Sequence, residues 1–422
     1  MTTISFKTLG CRLNQAETAA MRGAAVAAGC RTVPFGTPCD ICVIHGCAVT
    51  SRAEKNSWRL ARAARRCGAR RIIMAGCPTE LADALDRSGA DLLLRQRDKL
   101  DYRVLLPQLG CTAPIDYSTS PMPLFQTKRA LVRVQDGCDF RCAYCIVPSL
   151  RGPPRSRPPA AILEETRRLL DAGHMEIVLT GANLGCYDYH GMHLIQLLEK
   201  LSKLTELQRL RLSSIEITTV EKAVIDFMAD SKILCRSLHL PLQSGSAKVL
   251  RRMGRRYDPV QYARVAAYAI EKLGRVGLGT DLLVGFPGET DRDLQATEQM
   301  VRNLSFSNLH IFCYSPRPGT AAIEMSGQIA EPVKTQRQLR LRRLGTDLRH
   351  RFARQWVGGT VEVLAEQADR QGNLSGWTGE YLPAQVAVCS MCRSAHLPRL
   401  VRCVPHTAEK GVLLAKCGCT DK

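Results

Sequence analysis

Three cysteines in the middle of the chain carry the clearest chemical pattern. Cys138, Cys142 and Cys145 come directly after a strand predicted at Ala130–Gln135, at spacings of four and three residues. Three thiolates can hold three corners of a four-iron cube and leave its fourth iron without a protein ligand. Such an open iron can bind a small molecule, as the free position of a catalytic zinc does. The alternative is a zinc knuckle, which needs a fourth Cys or His nearby, and residues 146–159 contain neither.

This spacing, with the aromatic Tyr144 before the last cysteine, resembles the signature of the radical S-adenosylmethionine (SAM) superfamily. The resemblance implies that the open iron binds SAM through its amino and carboxylate groups. The cluster would then pass one electron to the sulfonium, and cleavage of the C–S bond would give a deoxyadenosyl radical. The expected chemistry is therefore abstraction of a hydrogen atom from a C–H bond that no side-chain base could deprotonate.

A second set of cysteines lies near the start of the chain. Cys11, Cys47 and Cys77 each follow a predicted strand, at Ile4–Thr8, Asp40–Ile44 and Arg71–Ala75. Open α/β sheets bind ligands at the carboxyl ends of their parallel strands, so three cysteines at three such ends can converge on one point. The residues alone leave a second interpretation open, because cysteine is often simply a small buried apolar residue.

The segments after the central cysteines resemble the methylthiotransferase family. The similar motifs, in chain order, are Thr180–Gly185, Leu212–Glu216, His239–Ser246, Asp281–Thr290 and Tyr314–Ala321. The resemblance implies that Cys11, Cys47 and Cys77 hold an auxiliary [4Fe–4S] cluster, so that the cofactors are two [4Fe–4S] clusters and SAM. It also makes four polar residues candidates for SAM contacts: Asn183, Ser214, Glu216 and Gln243. No general base can be named from the sequence.

The segment around Cys11 distinguishes three branches of this family. One branch acts on N6-threonylcarbamoyladenosine and one on isopentenyladenosine, both beside the tRNA anticodon, and the third modifies an aspartate of a ribosomal protein. Thr8–Gln15, with Arg12 directly after the cysteine, is most similar to the threonylcarbamoyl branch. We therefore expect methylthiolation of adenosine C2. The partners would be the tRNA anticodon stem-loop and sulfur and electron donors that the sequence does not identify.

Two other functions remain open from the residues. A radical SAM methylase would add carbon, without sulfur chemistry, and would hold one cluster per chain. A non-catalytic RNA-binding protein could hold zinc through the C-terminal cysteines, with Cys389 and Cys392 joined by Cys403 or His406; Cys417 and Cys419 lie in the same region. Incidental thiols in a small barrel are the plainer interpretation of that region.

The elements that would position these residues indicate an α/β protein with three domains. Alternating strands and helices over residues 1–120 predict an open parallel sheet, with helices at Gln15–Ala28, Ser51–Arg66 and Thr79–Asp86. After a linker at Thr112–Pro123, six strand–helix units over residues 124–355 predict a partial (βα) radical SAM barrel. Short strands over residues 356–420 predict a small antiparallel β-barrel. The segment Gly376–Tyr381 gives it a resemblance to the RNA-binding TRAM domain.

Composition agrees with these expectations. The formal charge of +20 favours a polyanionic partner, and nucleic acid is the commonest. Nineteen cysteines, an odd number, make a poor disulfide framework. The N-terminus does not resemble a secretory signal, and no apolar run is long enough to span a membrane. We therefore expect a cytoplasmic protein with reduced thiols and no membrane partner.

Two groups of arginines are candidates for substrate contacts. The segment Glu331–Trp356 is rich in arginine and could bind tRNA phosphates, although a solvated helix face would show the same composition. A threonylcarbamoyl group carries a carboxylate, which the planar fork of an arginine binds well. Arg317 is the first candidate for that contact, followed by Arg252 and Arg255.

Overall fold

Five parallel strands form the first sheet of the computed structural model, which describes residues 1–111, 121–125, 127–388 and 399–417. The strands lie in the order β2-β1-β3-β4-β5 and every neighbouring pair is parallel. The elements are β1 (Thr3–Thr8), α1 (Arg12–Ala27), β2 (Arg31–Val33), β3 (Cys39–Gly46), α2 (Ser51–Arg66), β4 (Ala69–Gly76), α3 (Ala84–Ser88), β5 (Leu92–Leu94) and α4 (Tyr102–Gln108). The predicted open parallel sheet is confirmed.

Local details of this sheet differ from the prediction. The helix expected at Thr79–Asp86 is wrong, because a 3-10 turn at Cys77–Glu80 ends at the extended residue Leu81 and α3 begins later. A tertiary contact holds the turn, since the Glu80 carboxylate accepts a 2.8 Å hydrogen bond from the backbone of Gln96. The cysteines are not all free, because Cys30 and Cys111 form a disulfide. Most of the linker predicted at Thr112–Pro123 lies outside the described residues.

The middle of the chain forms the predicted partial barrel. Two parallel three-stranded sheets, β6-β9-β12 and β13-β14-β15, are joined by parallel bridges between Leu210 and Leu234 and between Ser214 and His239. The barrel strands are β6 (Arg129–Arg133), β9 (Glu176–Thr180), β12 (Arg209–Leu212), β13 (Ser237–His239), β14 (Gly277–Val284) and β15 (Asn308–Cys313). Short strand pairs beside them are β7 (Gln135–Asp136) with β8 (Arg155–Ser156), and β10 (Asp188–Tyr189) with β11 (Met192–His193).

Helices cover the outside of this barrel and bury its largest apolar cluster. They are α5 (Val147–Arg151), α6 (Pro159–Asp171), α7 (Leu194–Leu201), α8 (Lys222–Asp230), α9 (Ala247–Arg252), α10 (Pro259–Leu273) and α11 (Asp291–Asn303). The start of α11 is fixed by a capping box in which Thr290 and Asp293 satisfy each other's backbone N–H groups. The long helix α12 (Glu331–Arg354) then packs against β15.

A closed five-stranded barrel ends the described chain. Its strands are β16 (Val361–Ala368), β17 (Leu374–Thr378), β18 (Pro383–Ala387), β19 (Arg399–Glu409) and β20 (Val412–Cys417), in the order β16-β17-β18-β20-β19. The predicted barrel is confirmed, but it is not wholly antiparallel, since β18 and β20 are parallel. A ring with an odd number of strands cannot alternate direction throughout, so one parallel pair is unavoidable.

The C-terminal barrel closes the bottom of the central one, where the central strands begin. The guanidinium of Arg209 donates to the carbonyl of Trp377 at 3.1 Å, and that of Arg211 donates to the carbonyl of Gly379 at 2.9 Å. Gly277 is needed here, because a Cβ at that position would lie 1.9 Å from the carbonyl oxygen of Glu380. This contact brings Tyr381, the next residue, to the interior of the central barrel.

A membrane-spanning helix is not found in the described part of the chain, since none of its helices combines the necessary length with the necessary hydropathy.

Candidate functional site

The three N-terminal cysteines converge because their strands are neighbours. The strands β1, β3 and β4 lie side by side, and Gly46 pairs with Gly76, so Cys47 and Cys77 leave the sheet together. Cys11 reaches the same place from the start of α1. Gly10, at φ +105°, permits the approach, since a Cβ there would lie 2.8 Å from the Cβ of Cys47. The three cysteines therefore lie at the ends of neighbouring strands, and their binding of a cluster stays a prediction.

Burial changes the acidity of these thiols. Cys47 and Cys77 are buried, whereas Cys11 is exposed. Burial raises the pKa of Cys47 to about 11 and also raises the pKa of Cys77, and the neighbouring thiols add to both shifts. Without a compensating positive charge such groups stay protonated. A metal centre supplies that charge and binds the thiolate, so three convergent thiols of this kind fit an iron–sulfur cluster.

A buried ionic network lies beneath the N-terminal cysteines. Glu17, fully buried in α1, accepts from Arg151 at 3.1 Å, from Lys99 at 2.6 Å and contacts His45 at 3.3 Å. Burial alone would raise the pKa of Glu17, but the charges of Arg151 and Lys99 outweigh it and hold that pKa well below its usual range. This network was not predicted, since its only signal in the sequence is a glutamate in an otherwise alanine-rich helix.

Arg151 connects this network to both cysteine sets. Its guanidinium donates to the Asn14 side chain at 2.6 Å and to the Asp136 carboxylate at 2.8 Å. Asn14 in turn donates to the carbonyls of Leu9 and Gly46, which precede Cys11 and Cys47. Asp136 lies two residues before Cys138. One buried arginine therefore fixes the position of one cysteine loop relative to the other.

The central cysteines lie in a loop that is tied down at several points. The backbone N–H of Cys138 donates to Gly152, that of Ala143 to Met253 and that of Cys145 to Cys142, at 3.0, 2.9 and 3.0 Å. Burial raises the pKa of Cys145 to about 12, so its thiol, like Cys47, needs a positive partner to ionise. The donor set and its rigidity fit a cluster held by three thiolates.

Arg255 reaches this loop from the segment after α9. Its guanidinium donates to the Sγ of Cys142 at 3.2 Å and forms an ion pair with Glu216. Glu216 is buried. The hydrogen bond from Arg255 to a cysteine sulfur was not anticipated from the sequence. A hydrogen bond to a ligand sulfur is one of the ways in which proteins tune iron–sulfur centres.

A cavity of about 740 Å³ lies between the two cysteine sets. Cys11 and Cys47 line it from the N-terminal sheet, and Cys145 lines it from the central loop. Ser214 and Gln243, two of the predicted SAM contacts, also line it. Its volume is typical of sites that enclose small molecules. The structure therefore brings members of both cysteine sets to the same cavity, while Cys77, Cys138 and Cys142 are not among the described residues that line it.

The other two predicted SAM contacts are placed differently. Asn183 and Glu216 are not among the described residues that line the cavity, and both are buried behind its wall. The Asn183 amide donates to the Sγ of Cys186 at 3.0 Å, while Glu216 pairs with Arg255. Gln243 differs from them, with a left-handed backbone at φ +66° that is held by hydrogen bonds to Asp281 and Leu283. Such conformations are costly and often mark functional sites.

A cluster of histidine and aspartate on the cavity wall was not predicted. The Asp281 carboxylate lies 3.0 Å from Nε2 of His239 and 3.3 Å from Nδ1 of His310. Burial would raise the pKa of Asp281, but the two imidazoles outweigh it and lower that pKa. Asp281 on β14 is opposite His310 on β15. Pairing these two predicted strands in this register would have predicted the contact between the two side chains.

The structure contradicts the three arginines predicted to bind a substrate carboxylate. Arg317 is buried and forms an ion pair with Glu54 of α2. Arg252 donates to the carbonyls of Pro287 and Ser326, and Arg255 is paired with Glu216. The sequence could not show these partners, because most of them come from distant elements.

Two of the C-terminal cysteines lie in the described part of the barrel. Cys403 and Cys417 lie opposite each other on β19 and β20. Cys389, Cys392 and Cys419 lie outside the described residues, so the zinc site suggested from the sequence, with Cys403 or His406, stays a prediction.

Comparison with known proteins agrees with this geometry. Residues 132–301 match the family model of the radical SAM superfamily, and residues 3–92 match the model named Uncharacterized protein family UPF0004. The chain is 33% identical to threonylcarbamoyladenosine tRNA methylthiotransferase MtaB of Bacillus subtilis, over 90% of each chain. It is 32% identical to tRNA-2-methylthio-N(6)-dimethylallyladenosine synthase of Nitratidesulfovibrio vulgaris, over 89% of each.

A solved structure supports the fold. The radical SAM methyltransferase TsrM from Kitasatospora setae superposes with a TM-score of 0.58, covering 76% of this chain and 75% of that chain. At 12% sequence identity this similarity concerns the fold alone. The radical SAM match implies SAM and a [4Fe–4S] cluster as cofactors. From the identity to its relatives over nine tenths of its length, the chain belongs to the radical SAM methylthiotransferase family and is an enzyme of that kind.

Proposed function

We propose that this enzyme adds a methylthio group to C2 of N6-threonylcarbamoyladenosine beside the anticodon of tRNA. The observation that carries the proposal is the cavity lined by Cys11 and Cys47 on one side and Cys145 on the other. Sulfur insertion at a C–H bond needs a source of radicals and a source of sulfur within reach of one carbon atom. A methylase with one cluster would have no use for the second set of converging thiols, and a non-catalytic zinc protein would not need the enclosed space.

Each cysteine set would hold one [4Fe–4S] cluster. Cys138, Cys142 and Cys145 would hold the first together with SAM, and Cys11, Cys47 and Cys77 would hold the second. When bound, these groups supply one-electron cleavage of SAM and a site for the transferred sulfur. Every other task falls to the protein.

The protein's part is to position and enclose the reactants. Ser214 and Gln243 would orient SAM from the barrel wall, while Asn183 and Glu216 would act from behind it. Glu216 does so by fixing Arg255, whose N–H donates to the Cys142 sulfur. Walls from all three parts of the chain line the cavity, and with SAM and the substrate base bound they would limit the access of water, which protects radical chemistry from side reactions.

The substrate assignment rests on one segment and on the relatives. Arg12 follows Cys11 as in the threonylcarbamoyl branch, and the Bacillus subtilis relative is named for that substrate. The dimethylallyl relative has nearly the same identity, so similarity alone does not separate the two substrates. Isopentenyladenosine tRNA is therefore the alternative to test, with the ribosomal-protein aspartate as a third substrate.

The test is mass analysis of nucleosides after reaction. The anaerobically reconstituted enzyme, with SAM, a reductant and sulfide, is expected to add one methylthio group to anticodon stem-loops carrying threonylcarbamoyladenosine. The matched substrate has the same sequence with isopentenyladenosine, and a peptide with the ribosomal aspartate is the third arm. If only the isopentenyl form is methylthiolated, the proposed substrate is wrong. If only the peptide is methylthiolated, the assignment of tRNA as the substrate is wrong. A product that gains carbon without sulfur would overturn the reaction type.

We further expect tRNA to bind through the exposed arginines of α12. Two arginines of this segment are neutralised within the protein. Arg337 pairs with Glu289 and Asp291, and Arg340 pairs with Glu298. The exposed arginines of the remaining set are Arg342, Arg343, Arg351 and Arg354. Replacing these four by Gln should flatten the log–log dependence of tRNA affinity on salt by about 0.7 to 0.9 for each phosphate that the variant no longer neutralises.

A matched variant of equal charge shows whether this effect is local. It replaces four exposed basic residues on other helices of the central barrel, namely Arg167, Arg264, Lys272 and Arg292. The control should keep the wild-type slope in a fluorescence titration at several salt concentrations. A control that flattens the slope while the α12 variant does not would place the tRNA on the other face.

A further inference from the structure

Two guanidinium groups line the cavity, and they differ in what neutralises them. Arg211 is fully buried and forms a close ion pair with Glu176, at 2.7 Å. Arg12 is half-buried and forms no ion pair with any carboxylate in the described ranges of the chain. The two imidazoles on the opposite wall, His239 and His310, share the carboxylate of Asp281. Within the described ranges, the positive charge of Arg12 is therefore not neutralised by a carboxylate, and the guanidinium can bind an anionic group of the substrate.

Arg12 is nevertheless held in place. One of its terminal nitrogens donates to the Tyr381 hydroxyl at 2.8 Å, and its guanidinium lies 5.2 Å from the centre of that ring. Tyr381 is itself fixed, because its ring stacks on Trp377 at 4.8 Å and Arg211 lies 4.7 Å from its centre. The arginine comes from the N-terminal sheet and the tyrosine from the C-terminal barrel, so the contact forms only in the complete chain.

The position of Arg12 relates it to the reacting centre. It is the residue next to Cys11, and both line the cavity into which the substrate base must enter. With one nitrogen engaged by the tyrosine, the remaining N–H groups of the guanidinium can form paired hydrogen bonds to a carboxylate. An isopentenyl group has no atom that could accept them.

We propose that Arg12, positioned by Tyr381, is the specificity-determining residue that binds the carboxylate of the threonylcarbamoyl group. The inference rests on the proposed function and names the contact that selects its substrate. It replaces Arg317, Arg252 and Arg255, which are not among the described residues that line the cavity. It also assigns the C-terminal barrel a role in the site, since Tyr381 comes from that barrel.

The test compares one substrate in two charge states. Anticodon stem-loops carry threonylcarbamoyladenosine either as the free acid or as its methyl ester, and kcat/KM for methylthiolation is measured with the anaerobic holoenzyme. The wild type should prefer the acid by about 10- to 100-fold, the range expected for a charge-assisted pair of hydrogen bonds. Arg12→Gln should lower kcat/KM for the acid to that for the ester, so that the preference falls to about 1. Arg12→Lys should restore part of it.

Controls separate recognition from folding. Arg31→Gln removes an exposed arginine of the same sheet and should leave the preference unchanged. The iron content of Arg12→Gln should equal that of the wild type, which shows that the variant is folded and loaded. An Arg12→Gln enzyme that still prefers the acid overturns this inference and leaves the proposed function intact. A wild type that methylthiolates only the isopentenyl stem-loop overturns the proposed substrate, and the role of Arg12 falls with it.

Discussion

Replacing Cys11, Cys47 and Cys77 together by Ala is expected to abolish methylthiolation while SAM cleavage to deoxyadenosine stays measurable. The three thiols lie at the ends of neighbouring strands, and on the proposed assignment their removal should eliminate one of two clusters and about half of the iron. The central loop keeps its own backbone ties and should remain loaded. Iron and sulfide counts, deoxyadenosine yield and nucleoside mass analysis on one preparation give all three readouts.

Two comparison variants make this result specific. Replacing Cys138, Cys142 and Cys145 by Ala should also remove about half of the iron, but should stop SAM cleavage altogether. Cys39, Cys42 and Cys67 lie in the same N-terminal sheet domain and do not line the cavity, and their triple replacement should keep full iron and activity. Full iron content in the Cys11/Cys47/Cys77 variant would show that these residues hold no cluster.

Replacing Arg151 by Met is expected to destabilise the protein by about 3 to 5 kcal/mol. The change removes the cation that the buried carboxylates of Glu17 and Asp136 share. Glu17 keeps Lys99 at 2.6 Å, but Asp136 keeps only Arg133 at 3.8 Å, and a buried charge without a close partner is costly. The midpoint of urea unfolding of the anaerobic holoprotein should fall accordingly. Methylthiolation should fall further than SAM cleavage, because Arg151 also fixes one cysteine loop relative to the other.

A surface arginine provides the reference for this measurement. Arg167 forms a loose, exposed pair with Glu164, and Arg167→Gln should change stability by less than about 1 kcal/mol. Combining Arg151→Met with Asp136→Asn should recover part of the stability, because the two side chains are in direct contact. An Arg151→Met protein as stable as Arg167→Gln would mean that the network contributes little.

Local patterns in the sequence predicted much of the architecture. The helix at Ser51–Arg66 has the predicted bounds. The small C-terminal barrel was predicted from its short strands, although the parallel pairing of β18 with β20 was not. The helix predicted at Thr79–Asp86 does not form, because a tertiary contact decides the backbone there. The Glu80 carboxylate accepts a hydrogen bond from the backbone of Gln96, sixteen residues further along the chain.

Tertiary structure decided the partners of the charged side chains. Arg317 was expected to face a substrate, and Glu54, 263 positions away in the chain, pairs with it instead. Arg151 and Glu17 are 134 positions apart, and Arg12 and Tyr381 are 369 apart. Such pairs form because burial makes an unpaired charge costly, and the available partner depends on which surfaces the fold brings together.

The chemistry, by contrast, was determined by the sequence itself. The central cysteine set fits within eight residues of one loop, so its spacing alone predicts a three-thiolate site. The N-terminal set needed only strand order to converge, and a strand followed by cysteine is a local signal. Which cations the substrate meets in the cavity was left to the tertiary structure. Local backbone preference is encoded in neighbouring residues, whereas the neutralisation of a buried charge depends on residues that become neighbours only after folding.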